Sequence, residues 1–273
     1  MIRTKVGNMR PEAHSNETRI LVALDASPSS MDSLEMAVNL AARMRAQLET
    51  LFIEDINLLR LAALPFAAEL DRSSGEARSM SEAGITSALQ AHVEKLRQRL
   101  DWFREHRKIQ YSLRTVRGDY LTEAMHADSD ILFIYTSKRI SMGEATDPSR
   151  SAAMRAARRR VSSIFTVYSV GDRSGKSLRL AVEFADNLGT ELVIVLPAAS
   201  DEVLESYQTD VAKQLGKRTN VRFKIANTDF AITASEIDKN GCCLLVLPKH
   251  GDQFDRAEIN ALRSLHCPLV LVG

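Results

Sequence analysis

Two stretches of this chain carry the same apolar pattern, and this repeat constrains the fold more than any other feature. Ser33-Leu-Glu-Met-Ala-Val-Asn-Leu-Ala41 is echoed by Ser177-Leu-Arg-Leu-Ala-Val-Glu-Phe-Ala185, and an apolar strand-like run follows each. Asp119-Tyr120, placed before a helix and a buried strand, has a counterpart in Asp229-Phe230. Equal order and similar spacing indicate an internal duplication. The 273 residues leave room for two domains of ordinary size.

The first repeat begins with an alternation of strand and helix. Arg19–Leu24 is a short apolar run typical of a strand buried on both faces, and Asp25–Ser30 is a turn rich in helix-capping residues. Apolar positions recur at helical spacing from Met31 to Arg45, and Leu48–Ile53 predicts a second strand. This is a βαβ unit, which favours a mostly parallel sheet covered on both faces.

The rest of the first repeat continues the alternation after an insertion, Asn57–Arg78. We expect the insertion to form a short helix that covers a crevice or packs against a partner. The further predicted elements are a helix at Ser79–His106, a strand at Ile109–Val116, a helix at Asp119–Ala127 and a strand at Ile131–Tyr135.

The opening strand and turn, Val22-Ala-Leu-Asp25-Ala-Ser-Pro-Ser-Ser30, resemble the start of a universal stress protein domain. The closing segment, His266-Cys-Pro-Leu-Val-Leu-Val272, is similar to the final strand of that family. The resemblance implies an α/β fold of two tandem doubly wound parallel-sheet domains, of the adenine nucleotide α-hydrolase-like type. We place a disordered leader at 1–18, the first domain at 19–160 and the second at 161–273.

One strand is missing from this scheme. Between the predicted helices Ser151–Arg160 and Lys176–Asn187 there is a single strand, Ile164–Ser169, where two complete domains need two. Either the first domain has lost its closing strand or another element completes its sheet.

The resemblance also implies pairing through the terminal strand. We therefore expect a homodimer through Pro268–Val272 or a pseudo-dimer within the chain, with any protein partner unidentified.

Family members that bind ATP place an aspartate toward the adenosine and hold the phosphates with a Gly-x-x-Gly, nine residues, Gly-Ser/Thr loop. Such loops need glycine because bare backbone lets amide groups approach phosphate oxygens. Here, Thr136–Ser149 and Pro248–Asp255 each contain one glycine, and Ser169 occupies the position matching Asp25. The candidate nucleotide-binding residues are Asp25, Ala26, Ser27, Arg117, Gly118 and Ser137.

Two functions remain open. The broken glycine loops favour a non-catalytic regulatory scaffold in stress adaptation, with no cofactor. The alternative is an ATP- or AMP-binding stress protein, with slow ATP hydrolysis, that uses Asp25 and a non-standard phosphate loop. Helix capping is the favoured explanation of Asp25 and Ser27. It also accounts for Asp119, and an unusual backbone angle would account for Gly118.

Other classes find little support. No paired histidines, CxxC, Gly-x-Ser-x-Gly or Gly-x-Gly-x-x-Gly motif is present, so we expect no metal and no catalytic residues, although Asp25, Glu54 and Asp55 offer carboxylates for a cation.

The arginines 155, 158 and 159 share a predicted helix face that could meet nucleic acid or an acidic partner, but the net charge of +1 argues against nucleic acid. No apolar run is long enough for a membrane span, and the cysteines fit a reduced core. We therefore expect a cytoplasmic protein without membrane contact.

Overall fold

A computed structural model describes residues 18–27, 30–70, 75–135, 163–168, 172–197, 200–216, 220–226, 230–239, 242–249 and 255–273. Several predicted features lie outside these ranges: the leader up to residue 17, the domain boundary at 160/161, Ser137, Ser169 and the arginine-rich helix. The described part of the chain contains no helix that combines the length and the apolar character needed to cross a bilayer.

The first half follows the predicted order of elements. Its strands are β1 (Arg19–Leu24), β2 (Gln47–Asp55), β3 (Ala68–Leu70), β4 (Ala77–Ser79), β5 (Tyr111–Gly118) and β6 (Ile131–Tyr135). Its helices are α1 (Ser30–Met44), α2 (Ile56–Ala62), α3 (Glu82–Arg107) and α4 (Tyr120–His126). The strand predicted at 109–116 begins two residues later, because α3 ends at Lys108 in the left-handed conformation with φ 54°.

The second half repeats this order. Its strands are β7 (Ser163–Val167), β8 (Leu192–Pro197), β9 (Val221–Ala226), β10 (Cys242–Pro248) and β11 (Pro268–Val272). Its helices are α5 (Asp172–Leu188), α6 (Asp201–Leu215), α7 (Phe230–Lys239) and α8 (Arg256–Arg263). The sequence analysis did not assign α6, β9 or α8. Of the eleven strands found in the described ranges, only β3 and β4 stand apart, as a short hairpin.

The other nine strands form one sheet in the order β5-β2-β1-β6-β11-β10-β7-β8-β9. The order is symmetric about β11: on each side lie the fourth, first, second and third strands of one half. All neighbours are parallel except β6 and β11, which are antiparallel. The prediction of two tandem doubly wound units is confirmed, and their strands join into a single sheet.

The terminal strand β11 takes the place of the missing closing strand. It forms parallel pairing with β10 and antiparallel pairing with β6. In the antiparallel pair, Pro268 lies opposite Tyr135 and Val272 lies opposite Ile131. Another element therefore completes the sheet of the first half, which was one of the two alternatives. The prediction that Pro268–Val272 pairs two chains is wrong, because both edges of this strand are occupied within the chain. The strand instead makes a pseudo-dimer inside one molecule.

Both faces of the sheet are covered, which explains the continuous apolar runs in its strands. Along β1, Ile20, Val22 and Leu24 face one core layer, and Leu21 and Ala23 face the other. The first layer lies under α1, α3, α5 and α6, and the second lies under α4, α7 and α8. All five of these β1 side chains are at most 1% exposed.

The insertion after β2 forms the predicted short helix, α2, followed by the β3–β4 hairpin. Asp55 begins the helix by accepting a hydrogen bond from the backbone N–H of Asn57 at 2.8 Å. Leu59 and Ala62 are buried, and α2 contacts α3. Phe66 and Leu70 are 81% and 60% exposed. The insertion therefore adds apolar surface beside the end of β2.

Because β11 is shared, removing buried volume from it should destabilise both halves together. We expect Leu271→Ala to lower the free energy of unfolding by about 2–5 kcal/mol, since Leu271 is fully buried. Urea unfolding followed by circular dichroism should keep one transition. Ile225→Ala on the outer strand β9 is the matched control, because Ile225 is 59% exposed, and it should change the value by less than about 0.5 kcal/mol. Two transitions, of which only one moves, would contradict a shared strand.

Candidate functional site

The parallel strands β1, β2 and β5 lie side by side, so their carboxyl ends meet at one edge of the sheet. This brings Asp25, Ala26 and Ser27 to the same edge as Arg117 and Gly118. The last two residues were predicted to follow their strand, but they are its final residues, paired with Glu54 and Asp55 of β2. In open α/β sheets, ligands bind outside this edge. Ser137 lies outside the described residues.

Asp25 is tied to the first turn of α1. Its Oδ1 accepts hydrogen bonds from the backbone N–H of Ser27 at 2.9 Å and from the hydroxyls of Ser27 and Ser30, each at 2.5 Å. The backbone N–H of Asp25 in turn donates to the Ser30 hydroxyl at 3.1 Å. All three bonds to the carboxylate reach one oxygen, so Oδ2 has no donor among the described residues. This arrangement fixes the turn and leaves one carboxylate oxygen at the crevice.

Arg117 is bound to the neighbouring strand. Its Nε and Nη2 donate to Oε2 of Glu54 at 3.1 and 3.0 Å. The Glu54 side chain is only 13% exposed, whereas that of Arg117 is 52% exposed. The guanidinium thus faces solvent while its charge is balanced by a carboxylate. A phosphate at this edge would have to compete with Glu54 for the arginine.

Gly118 is explained by a close approach of a side chain rather than by its backbone angle. The described glycines with positive φ are Gly75, Gly189 and Gly216, so the predicted unusual angle at Gly118 is wrong. A Cβ at this position would lie 2.4–2.7 Å from the side chain of Glu123. Glycine at this position therefore leaves room for the Glu123 side chain of α4 against the end of β5.

Tyr120 contributes to this edge, and the sequence analysis did not assign it a role. Its hydroxyl donates to the carbonyl oxygen of Ala23 at 2.8 Å and accepts from the backbone N–H of Tyr135 at 3.2 Å. Burial, together with the negative charge of Asp25, raises the pKa of Tyr120, so the hydroxyl stays protonated. It holds the ends of β1 and β6 together beside Asp25. A tyrosine at a helix start was the only sequence signal.

Asp119 begins α4, as predicted, and also connects the two halves. Its Oδ1 accepts from the backbone N–H of Thr122 at 3.1 Å and from the Thr122 hydroxyl at 2.7 Å. It also accepts from Arg263 of α8 at 2.5 Å. Burial by itself would raise the pKa of Asp119, but the hydrogen bonds from Thr122 and the charge of Arg263 outweigh it, and the pKa lies below its ordinary value.

The three carboxylates at this edge do not converge. Glu54 binds Arg117, Asp55 begins α2, and Asp25 binds the serines of its own turn. Among the described residues, no three His, Cys, Asp or Glu side chains are placed to hold a metal ion.

The corresponding edge of the second half lies at the opposite end of the sheet, because β6 and β11 are antiparallel. The two halves therefore cannot share one crevice. Described residues at that end include Tyr168 and Lys249, whereas Ser169 and residues 250–254 lie outside the described ranges.

Replacing Tyr120 by Phe should lower the free energy of unfolding by about 1–3 kcal/mol, because the carbonyl of Ala23 and the N–H of Tyr135 lose a part-buried partner. Tyr207→Phe is the control, since the Tyr207 hydroxyl has no hydrogen bond among the described residues. Denaturant unfolding of both variants measures the difference. Equal stability of the two would show that the Tyr120 bridge is unimportant.

The ion pair between Asp119 and Arg263 should make the free energy of unfolding depend on pH in the acid range. Since folding lowers the pKa of Asp119, its contribution is complete above the ordinary aspartate value of about 4 and is lost as the pH falls through the lower, folded value. Arg263→Gln should therefore cost stability at neutral pH and less in acid, measured by denaturant unfolding at about pH 7 and about pH 3. Arg97→Gln, whose partner Glu94 is exposed, should show a small effect throughout. A cost for Arg263→Gln that does not change with pH would contradict the pairing.

Comparisons with known proteins bear on the fold. The sequence matches no model of a known protein family and no curated protein sequence. A universal stress protein from Archaeoglobus fulgidus is similar in structure, with a TM-score of 0.50 at 12% identity, over 93% of this chain and 95% of its own. A protein of unknown function from Pseudomonas aeruginosa gives a TM-score of 0.48 at 12% identity, over 94% and 92%. With the strand order found here, this chain has the universal stress protein fold.

Proposed function

We propose that this protein is a non-catalytic regulatory scaffold of the universal stress protein type, with a degenerate phosphate loop and a role in stress adaptation. The proposal rests mainly on one observation: the charged side chains of the candidate site already have partners within the chain. Arg117 is neutralised by Glu54, and one of the two carboxylate oxygens of Asp25, Oδ1, is occupied by Ser27 and Ser30. Among the candidate site residues that the structure describes, the only cation is therefore already held in an ion pair.

The scaffold role is also supported by where apolar surface is exposed. Leu61, Leu64, Phe66 and Leu70, in and after α2, are 41–81% exposed and lie in the insertion that follows β2. Exposed apolar side chains that cluster in one segment are typical of contact surfaces. A partner bound there would sit next to the candidate crevice.

A second function, an ATP- or AMP-binding stress protein, is favoured by one detail. The Oδ2 oxygen of Asp25 has no donor among the described residues, and it lies at the strand end where ligands of open α/β sheets bind. A ribose or adenine group could donate to this oxygen without disturbing the serine contacts. Lys138 and Arg139, in the loop after β6, lie outside the described residues.

Calorimetric titration with ATP and with AMP, each with and without magnesium, separates the two functions. The scaffold proposal expects no heat and no thermal stabilisation at millimolar nucleotide, and no phosphate release. Asp25→Ala and Asp210→Ala are compared with the unaltered protein, because Asp210 is an exposed aspartate on α6. Nucleotide binding that is lost in Asp25→Ala but kept in Asp210→Ala would overturn the proposal in favour of the nucleotide-binding function.

A further inference from the structure

A second concave site lies far from the candidate crevice, between the two equivalent helices α1 and α5. Helix α1 packs on β1 and β6, and α5 packs on β7, β10 and β11. Arg43 joins the two helices through an ion pair with Glu183 at 2.9 Å. Beside this pair is a cavity of about 320 Å³, within the size range of small-ligand pockets.

The position of this cavity follows from the duplication. Arg43 lies ten residues after Ser33, and Asn187 lies ten residues after Ser177, so the two hold equivalent places in the repeat. Glu183 is likewise equivalent to Asn39. On one side of the local twofold axis the pair is Arg43 with Glu183. On the other side it is replaced by the two amides, Asn39 and Asn187, which line the cavity. The groove is thus bounded by an ion pair on one side, and by two uncharged amide side chains on the other.

The wall of the groove is apolar. Met36, Leu40 and Ala42 line it from α1, and Phe184 and Leu188 line it from α5. Leu188 is 53% exposed, so an apolar surface is open to solvent at the end of α5. A ligand with an apolar part would remove this surface from water, which favours binding.

The mouth of the groove is positively charged. Arg107, in the last turn of α3, lines the cavity and has no ion-pair partner among the described residues. Arg43 also lines the cavity, but its charge is balanced by Glu183. The residues that line the cavity include no carboxylate, so the charge of Arg107 is not balanced within the lining. A guanidinium without a partner matches a carboxylate in charge and in geometry.

We propose that this groove binds a small amphipathic carboxylate. The apolar chain lies between α1 and α5 against Met36, Ala42 and Leu188, and the carboxylate accepts hydrogen bonds from Arg107 at the mouth, with the amides of Asn39 and Asn187 beside it. The site uses residues of both halves and none of the candidate nucleotide crevice. It is therefore independent of the function proposed above.

Decanoate is the probe, titrated calorimetrically below its micelle concentration against the full chain. Decanol supplies the same tail without charge, and acetate supplies the charge without the tail. We expect decanoate to bind one site per chain and to bind at least about tenfold more tightly than either control, because a charge-assisted hydrogen bond and the apolar contact are both needed. No saturable heat with decanoate, or equal affinity for decanol, would overturn the proposal.

Variants locate the site. Arg107→Gln should weaken decanoate binding about tenfold or more, whereas Arg97→Gln, on the same helix but paired with Glu94, should leave it unchanged. Ala42→Phe should block the groove. Leu188→Glu, at an exposed helix end, places a negative charge there without disturbing the core and should also weaken binding. Asp25→Ala should have no effect. Undiminished binding by both Arg107→Gln and Leu188→Glu would overturn the assignment.

Discussion

The pairing of β11 with both β6 and β10 is the contact on which the rest of the structure depends. An open strand edge leaves a row of backbone groups without partners and invites pairing with other chains. Here one five-residue strand closes two such edges, and its residues Leu269, Val270 and Leu271 are fully buried. Each half contributes four other strands. The molecule is therefore two repeats built around a single closing strand, and neither repeat has a complete sheet without it.

The antiparallel junction of β6 and β11 determines where the candidate binding sites lie. Because the junction is antiparallel, the carboxyl ends of the first-half strands and those of the second-half strands lie at opposite ends of the sheet. The candidate crevice at Asp25 is thus built from first-half residues, and only long-range pairs such as Asp119–Arg263 connect it with the second half. The helices α1 and α5, in contrast, meet close to the symmetry axis. The groove between them is a product of the duplication itself.

Individual residues of the candidate site show which roles a sequence pattern can predict and which it cannot. The role of Asp119 at the start of α4 was predictable, because a cap is made with residues three positions away. The roles of Arg117 and Tyr120 were not. Arg117 meets Glu54 only because β5 and β2 pair in one register, and Tyr120 reaches Ala23 only after α4 has packed on the sheet. The end of α3 at Lys108 likewise moved β5 along the chain by two residues.

The sequence by itself determined the alternation of strands and helices and the duplication, because these depend on apolar periodicity and on turns that are local in the chain. The universal stress protein type of fold was implied by the resemblance of the opening turn and the closing strand to that family. The sequence also showed that one closing strand was missing. Only the tertiary structure decided which strand fills that place. The choice of β11 depends on hydrogen bonds between segments more than 130 residues apart in the sequence. An apolar run that is buried on both faces does not indicate which strands lie beside it in the sheet.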